Sequence, residues 1–116
     1  MKIAFPTNGE NLDSELFFHF GLSSKYLIYD TETKESKLIK NTSEHMGGSG
    51  FPPELIKKNG VNIMIVSDLG QRALKRFNQS NIEVYCKAEG KIRDILVNFE
   101  KGKLEKANVE IICKGH

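Results

Sequence analysis

Val61-Asn62-Ile63-Met64-Ile65-Val66, then Asp68 through Gln79, then Ile82-Glu83-Val84-Tyr85-Cys86, is the stretch whose reading fixes the fold class. The first piece is almost continuously apolar, the signature of a strand covered on both faces. The middle piece carries Leu69, Ala73, Leu74 and Phe77 for one helical face, and Asp68 stands where a side-chain cap would start the helix. The third piece is another strand. Strand, helix, strand with a right-handed crossover makes the two strands parallel. Downstream, Lys91 to Lys101 places Ile92, Ile95, Leu96 and Phe99 at i, i+3, i+4 and i+7, and Gly102 ends that helix.

Upstream, Gly60 stands where a left-handed cap would close a short helix opened by Pro52-Pro53. Lys25–Asp30 and Lys34–Lys40, joined by Thr31-Glu32-Thr33, read as an antiparallel hairpin, and Lys2–Thr7 as a strand turned at Asn8-Gly9. The order is β-β-β-α-β-α-β-α, with a mixed five-stranded sheet, and it is similar to that of ribonuclease H-like domains. Residues 1–104 form the expected domain. Residues 105–116 read as a C-terminal tail whose Val109, Ile111 and Ile112 make a terminal strand or pack on a partner.

Strand direction then carries the functional reading. With the first strand up, the hairpins turn the second down and the third up, and the crossovers set the fourth and fifth up. The upper edge gathers the 8–24 loop, the 41–51 loop, the Ser67-Asp68 turn and the segment after Cys86. Ligands of open α/β sheets bind beyond the carboxyl ends of the parallel strands. His19, His45 and Cys86 map to that edge.

Composition narrows the classes. The 116 residues are 39% hydrophobic and 28% charged, a balance expected of one globular domain. The net charge is +2, with seven basic against eight acidic residues through Lys58 and ten against seven after it. With no like-charge run, nucleic acid is not an expected partner. The longest apolar run, Ile63 to Val66, is far below the roughly 20 residues of a membrane helix. Met1 to Pro6 is too short in apolar length for a signal peptide, and Cys86 and Cys113 make no disulfide framework, so a cytoplasmic protein is expected.

A two-metal nuclease would need a carboxylate on the first strand, which has Ile3, Ala4, Phe5 and Pro6 there. A thiol enzyme would need an accessible Cys86 with a lowered pKa; the plainer reading is a small buried hydrophobe. Imidazole and thiolate suit zinc, copper or iron–sulfur units, but no closed structural zinc pattern is present. Cys113-Lys114-Gly115-His116 has C-x-x-H spacing at a terminus. His19 lies between Phe18 and Phe20 and before Gly21; phenylalanines anchored on the core would aim the imidazole outward. The alternative is an ordinary loop histidine bonded to backbone. His45 precedes Gly47-Gly48-Ser49-Gly50, whose amides can form a nest for an anion or for cluster sulfides, or simply a solvated loop.

Met1-Lys2-Ile3-Ala4-Phe5-Pro6-Thr7, His19-Phe20-Gly21 and Tyr26-Leu27-Ile28-Tyr29-Asp30 resemble the opening of the dinitrogenase iron–molybdenum cofactor-binding family. Gly47-Gly48-Ser49-Gly50, Leu55, Gly60-Val61, Val66, Leu69-Gly70, Ala73-Leu74, Ile82-Glu83-Val84-Tyr85, Gly90, Phe99 and Gly102-Lys103-Leu104 extend the likeness to about residue 104. The resemblance implies a ribonuclease H-like fold and non-catalytic binding or carriage of an iron–sulfur or iron–molybdenum cluster. It carries His19 over as a ligand or hydrogen-bond donor, on the His-Phe-Gly motif. Gly21, Gly47, Gly48 and Gly50 are the expected cofactor-binding glycines, with His45 and Cys86 as auxiliary metal ligands. The expected partner is a cluster donor or acceptor protein, and the expected state a monomer or weak homo-oligomer. Stand-alone members occur in organisms without nitrogenase, so a nitrogenase role does not follow. The competing class is a small-anion or protein-partner binding module without metal, using the glycine amides and the helix terminus at Asp68.

Overall fold

A computed structural model describes residues 1–18, 23–40 and 56–107. Its strands and helices are β1 (Lys2–Thr7), β2 (Lys25–Asp30), β3 (Ser36–Lys40), β4 (Ile63–Ile65), α1 (Gln71–Gln79), β5 (Glu83–Cys86), α2 (Ile92–Glu100) and β6 (Glu105–Ala107). Residues 56–58 are also helical and run into Gly60, whose φ of +76° is the left-handed stop expected of that glycine.

The sheet order is β3-β2-β1-β4-β5-β6. β2 is antiparallel to both β1 and β3, while β1, β4 and β5 are mutually parallel neighbours. The directions follow those derived from the hairpins and crossovers. Among the described residues the sheet has six strands rather than five. Glu105–Ala107, assigned from sequence to a tail, pairs antiparallel with β5, so Val84 faces Ala107 and Cys86 faces Glu105. Only Ala107 of the three is buried, and ion pairs from Lys106 to Glu83 (3.6 Å) and from Lys87 to Glu105 (3.2 Å) flank the pairing. Residues 108–116, with Val109, Ile111 and Ile112, lie outside the described residues.

Alternation along the strands builds two cores. Ala4, Tyr26, Ile28, Met64, Val84, Cys86 and Ala107 face one side, where Ile56 and the Leu74 and Phe77 of α1 cover them. Ile3, Phe5, Leu27, Tyr29, Ile63 and Ile65 face the other, under Ile92, Ile95 and Leu96 of α2. Phe99 completes the second face edge-on to Tyr85, with ring centres 5.1 Å apart. Ile3, Phe5, Tyr26 and Leu27 are fully buried, so β1 and β2 form the spine of a three-layer α/β domain.

One cap differs from expectation. Asp68 does not start α1: the N-cap is Gly70, with extended backbone and no side-chain bond to the helix. The reason is Leu69, which is 5% exposed. Burying it under the helix pulls the chain inward for two residues after Asp68 and leaves that carboxylate exposed, ahead of the first turn.

Candidate functional site

The upper edge of the sheet is a continuous row. Thr7 at the end of β1 pairs with Lys25 at the start of β2, which pairs with Lys40 at the end of β3. Beyond β1 lie Ser67, following β4, and Lys87, following β5; the Lys87 N–H donates to the Ser67 carbonyl at 3.0 Å, and that of Ala88 to Val66 at 3.2 Å. Lys87 takes φ +63° to make this turn.

The segment 8–18 is laid over this edge and fastened on the α2 side. Thr7 is buried, and its hydroxyl donates to the Glu15 carbonyl (2.9 Å) while accepting from the Gly9 N–H (3.0 Å). Phe17 N–H donates to the Pro6 carbonyl (2.8 Å) and Leu16 N–H to that of Gly90 (2.9 Å). The N-terminal amides of α2 would otherwise lack partners. Ile92 N–H donates to the Ser14 carbonyl (3.0 Å) and Arg93 N–H to that of Leu12 (2.8 Å), so the loop's backbone caps the helix. Arg93 Nε also donates to Asp13 at 2.8 Å, and the guanidinium holds that carboxyl below its usual range. The exposed pair is screened, so the backbone bonds are the main fastening.

The chain returns to the sheet beside the same row. Asn8 Oδ1 accepts from both the N–H and the hydroxyl of Ser24, at 2.8 and 2.9 Å. Ser23 is buried and donates to the Lys25 carbonyl at 3.1 Å. Its side chain is also hydrogen-bonded with Tyr26, whose phenol is pushed up from its ordinary value by burial.

His19, Gly21, His45, Gly47, Gly48 and Gly50 lie outside the described residues, as do Cys113 and His116. Of their described chain neighbours, Phe18 and Ser23 stand either side of 19–22, Lys40 precedes 41–55 on the edge row, and Ile56 follows 41–55 beneath α1. The anchoring of the first loop differs from the expected form. Phe18 is 66% exposed and stacks on Phe17 at 5.3 Å, while Leu16, at 8%, enters the core. Among the described residues the anchor is Leu16, on the strand-like spacing that pairs it with Thr7, while Phe20 lies outside them. The sequence contained that signal, but the aromatic run masked it.

Cys86 is 1% exposed and packs in the apolar cluster beneath α1, on the opposite face of the sheet from Leu16. Such a thiol is closed to solvent reagents, which removes the condition a thiol enzyme requires. Among the described residues, no three His, Cys, Asp or Glu side chains gather as a metal-holding group, and no helix is long and apolar enough to cross a membrane. Asn8, Thr7 and Gly90, which hold the loop, were not singled out from sequence as site-supporting residues. Asn8-Gly9 gave a turn signal, but nothing local announces that Asn8 reaches sixteen residues ahead.

Known proteins share this fold and sequence pattern. An uncharacterized protein of Methanocaldococcus jannaschii is 37% identical over 111 residues, 91% of each chain. The NMR structure of a Thermotoga protein with a provisional NifB designation superposes with a TM-score of 0.77 at 27% identity, covering 90% of this chain and 91% of that one. The apo form of the orange protein from Desulfovibrio gigas shares the fold, with a TM-score of 0.82 at 22% identity over 91% and 92% of the two chains. The family model described as dinitrogenase iron-molybdenum cofactor matches residues 1–102, and the chain belongs to that family.

Proposed function

We propose that the protein binds an iron–sulfur or iron–molybdenum type cluster as cargo at the upper edge of its sheet and passes it to another protein, without turnover. The observation that carries the reading is positional. In a chain of this family, the described neighbours of 19–22, Phe18 and Ser23, and the residue leading into 41–55, Lys40, stand by the edge row beyond the ends of the parallel strands, while Ile56, at the far end of 41–55, packs beneath α1. Imidazole is a good donor to iron, and glycine amides can hydrogen-bond cluster sulfides. In this reading His19 is the protein ligand, Gly21 gives the backbone room beside it, and the amides of Gly47, Gly48 and Gly50 surround the cluster. His45 is an auxiliary ligand. Cys86, being sequestered beneath α1, serves the core instead.

Few protein ligands at an edge suit a carrier, since transfer requires release. Nothing in the reading needs a general base or a nucleophile. Anaerobic reconstitution with iron and sulfide tests it: the parent protein takes up cluster, and His19→Ala takes up less, with an altered absorption spectrum. Equal uptake with an unchanged spectrum in the variant would show that His19 is not a ligand.

A further inference from the structure

The solvent face of α1 carries clustered cations, of which only Arg76, in the last turn, suits the helix dipole. Arg72, Lys75 and Arg76 stand at i, i+3 and i+4, opposite the buried Leu74 and Phe77. Like charges at that spacing cost a helix about 0.2–0.5 kcal/mol a pair. Arg72 is the second residue of α1, where the helix dipole disfavours a cation, and the first turn holds no acidic residue to offset it. Lys58, Arg72 and Lys75 pair with no carboxylate among the described residues.

The patch extends beyond the helix. Lys57 and Lys58 are exposed on the helical residues beside α1, and Lys57 Nζ donates to the Ser80 carbonyl at 2.7 Å, at the helix's C-terminal end. Residues 56–80 hold five basic side chains and one acidic, Asp68, a balance of +4 in a chain whose total is +2. The remainder is therefore −2. The patch starts near Ser67 on the edge row and runs down the α1 face.

We propose that this face is the docking surface for the acidic surface of a folded protein partner. This deepens the reading of the protein as a carrier: the partner is the cluster's donor or acceptor, seated beside the edge from which cargo moves. Charge decides between occupants. A nine-residue helix spans only about 13 Å, so a compact acidic surface can cover the patch without touching the rest. An extended polyanion such as duplex DNA would run past it onto a remainder of 12 basic and 14 acidic residues, which offers it no further positive excess.

The test is a backbone-amide NMR titration of the cluster-free protein, with two probes at physiological salt. One is a helical peptide with glutamates at i, i+3, i+4 and i+7; the other is a short DNA duplex. The peptide is expected to shift the amides of 57–58 and 71–79, and Arg72→Glu with Lys75→Glu to weaken it at least about tenfold. Lys101→Glu with Lys103→Glu, exposed on the α2 side, is expected to leave binding within about twofold, reporting any general charge effect. Shifts centred elsewhere, equal loss in both double variants, an unchanged affinity after reversal on α1, or tighter binding of the duplex would each overturn the proposal. Because no cluster is present, failure here leaves cargo binding standing, and failure of cargo binding leaves this titration readable.

Discussion

Tyr26 shows how a single group ties fold to pH. Its ring is fully buried and its phenol hydrogen-bonded with Ser23, and burial raises its pKa above the ordinary tyrosine value. The neutral form is the one the fold accepts. Its contribution is therefore complete below the unfolded pKa of about 10 and is lost as pH rises toward the folded value. We expect the thermal midpoint to fall above about pH 10, and Tyr26→Phe to flatten that fall while costing about 1 kcal/mol at neutral pH for the lost hydrogen bond. An identical alkaline profile in the variant would assign the loss to other groups. Gly9 gives a steric counterpart. A Cβ there would collide with the Ser14 side chain, whose hydroxyl accepts the N–H groups of Glu10 and Asn11. Gly9→Ala should destabilise by about 1–3 kcal/mol in denaturant unfolding, whereas Gly102→Ala meets open space and is strained only by its positive φ.

Elements reveal where sequence is a sufficient guide. β4, β5 and α2 were legible because their apolar periods are long and agree with what covers them. β1 and β2 were equally plain, and so was the left-handed stop at Gly60. The sixth strand was not, because Glu105-Lys106-Ala107 buries one methyl group and is placed by pairing with β5. Periodicity carries no trace of such an edge strand. The cap of α1 was misplaced for a related reason: Asp68 is a good capping residue, but Leu69 needed the core more. Gly70 as N-cap leaves a cheap improvement, since a side chain at that position meets nothing within 4 Å. Gly70→Asp should stabilise the fold by roughly 0.5 kcal/mol, through the free amides and the dipole of α1. A lower unfolding midpoint in that variant would contradict this view of the cap. Beneath the helix, Leu74→Ala should cost about 2–5 kcal/mol, as for other fully buried leucines.

At the scale of the molecule, function rests on strand direction. One rule, that parallel strands point the same way, was enough to place the described 8–18 segment, Ser67 and Lys87 on a common edge. The details that hold the first of them there were illegible, because they are made by backbone groups of Leu12, Ser14 and Gly90 and by the reach of Asn8. Backbone groups carry no residue signature. The distribution of charge is also a whole-molecule property: dividing the chain at Lys58 gives −1 and +3 and hides the local excess over 56–80, since that boundary separates Lys57 and Lys58 from α1.

The most direct test of the central claim uses the paramagnetism of a loaded cluster. In the reconstituted protein, amide signals of Thr7, Ser24, Lys25 and Lys40 should broaden strongly. Those of Lys2, Asp30, Ser36 and Asn62, at the other end of the same strands, should stay sharp. Broadening centred on the lower group, or a cluster-loaded protein in which neither group broadens, would place the cargo away from the edge and contradict the account.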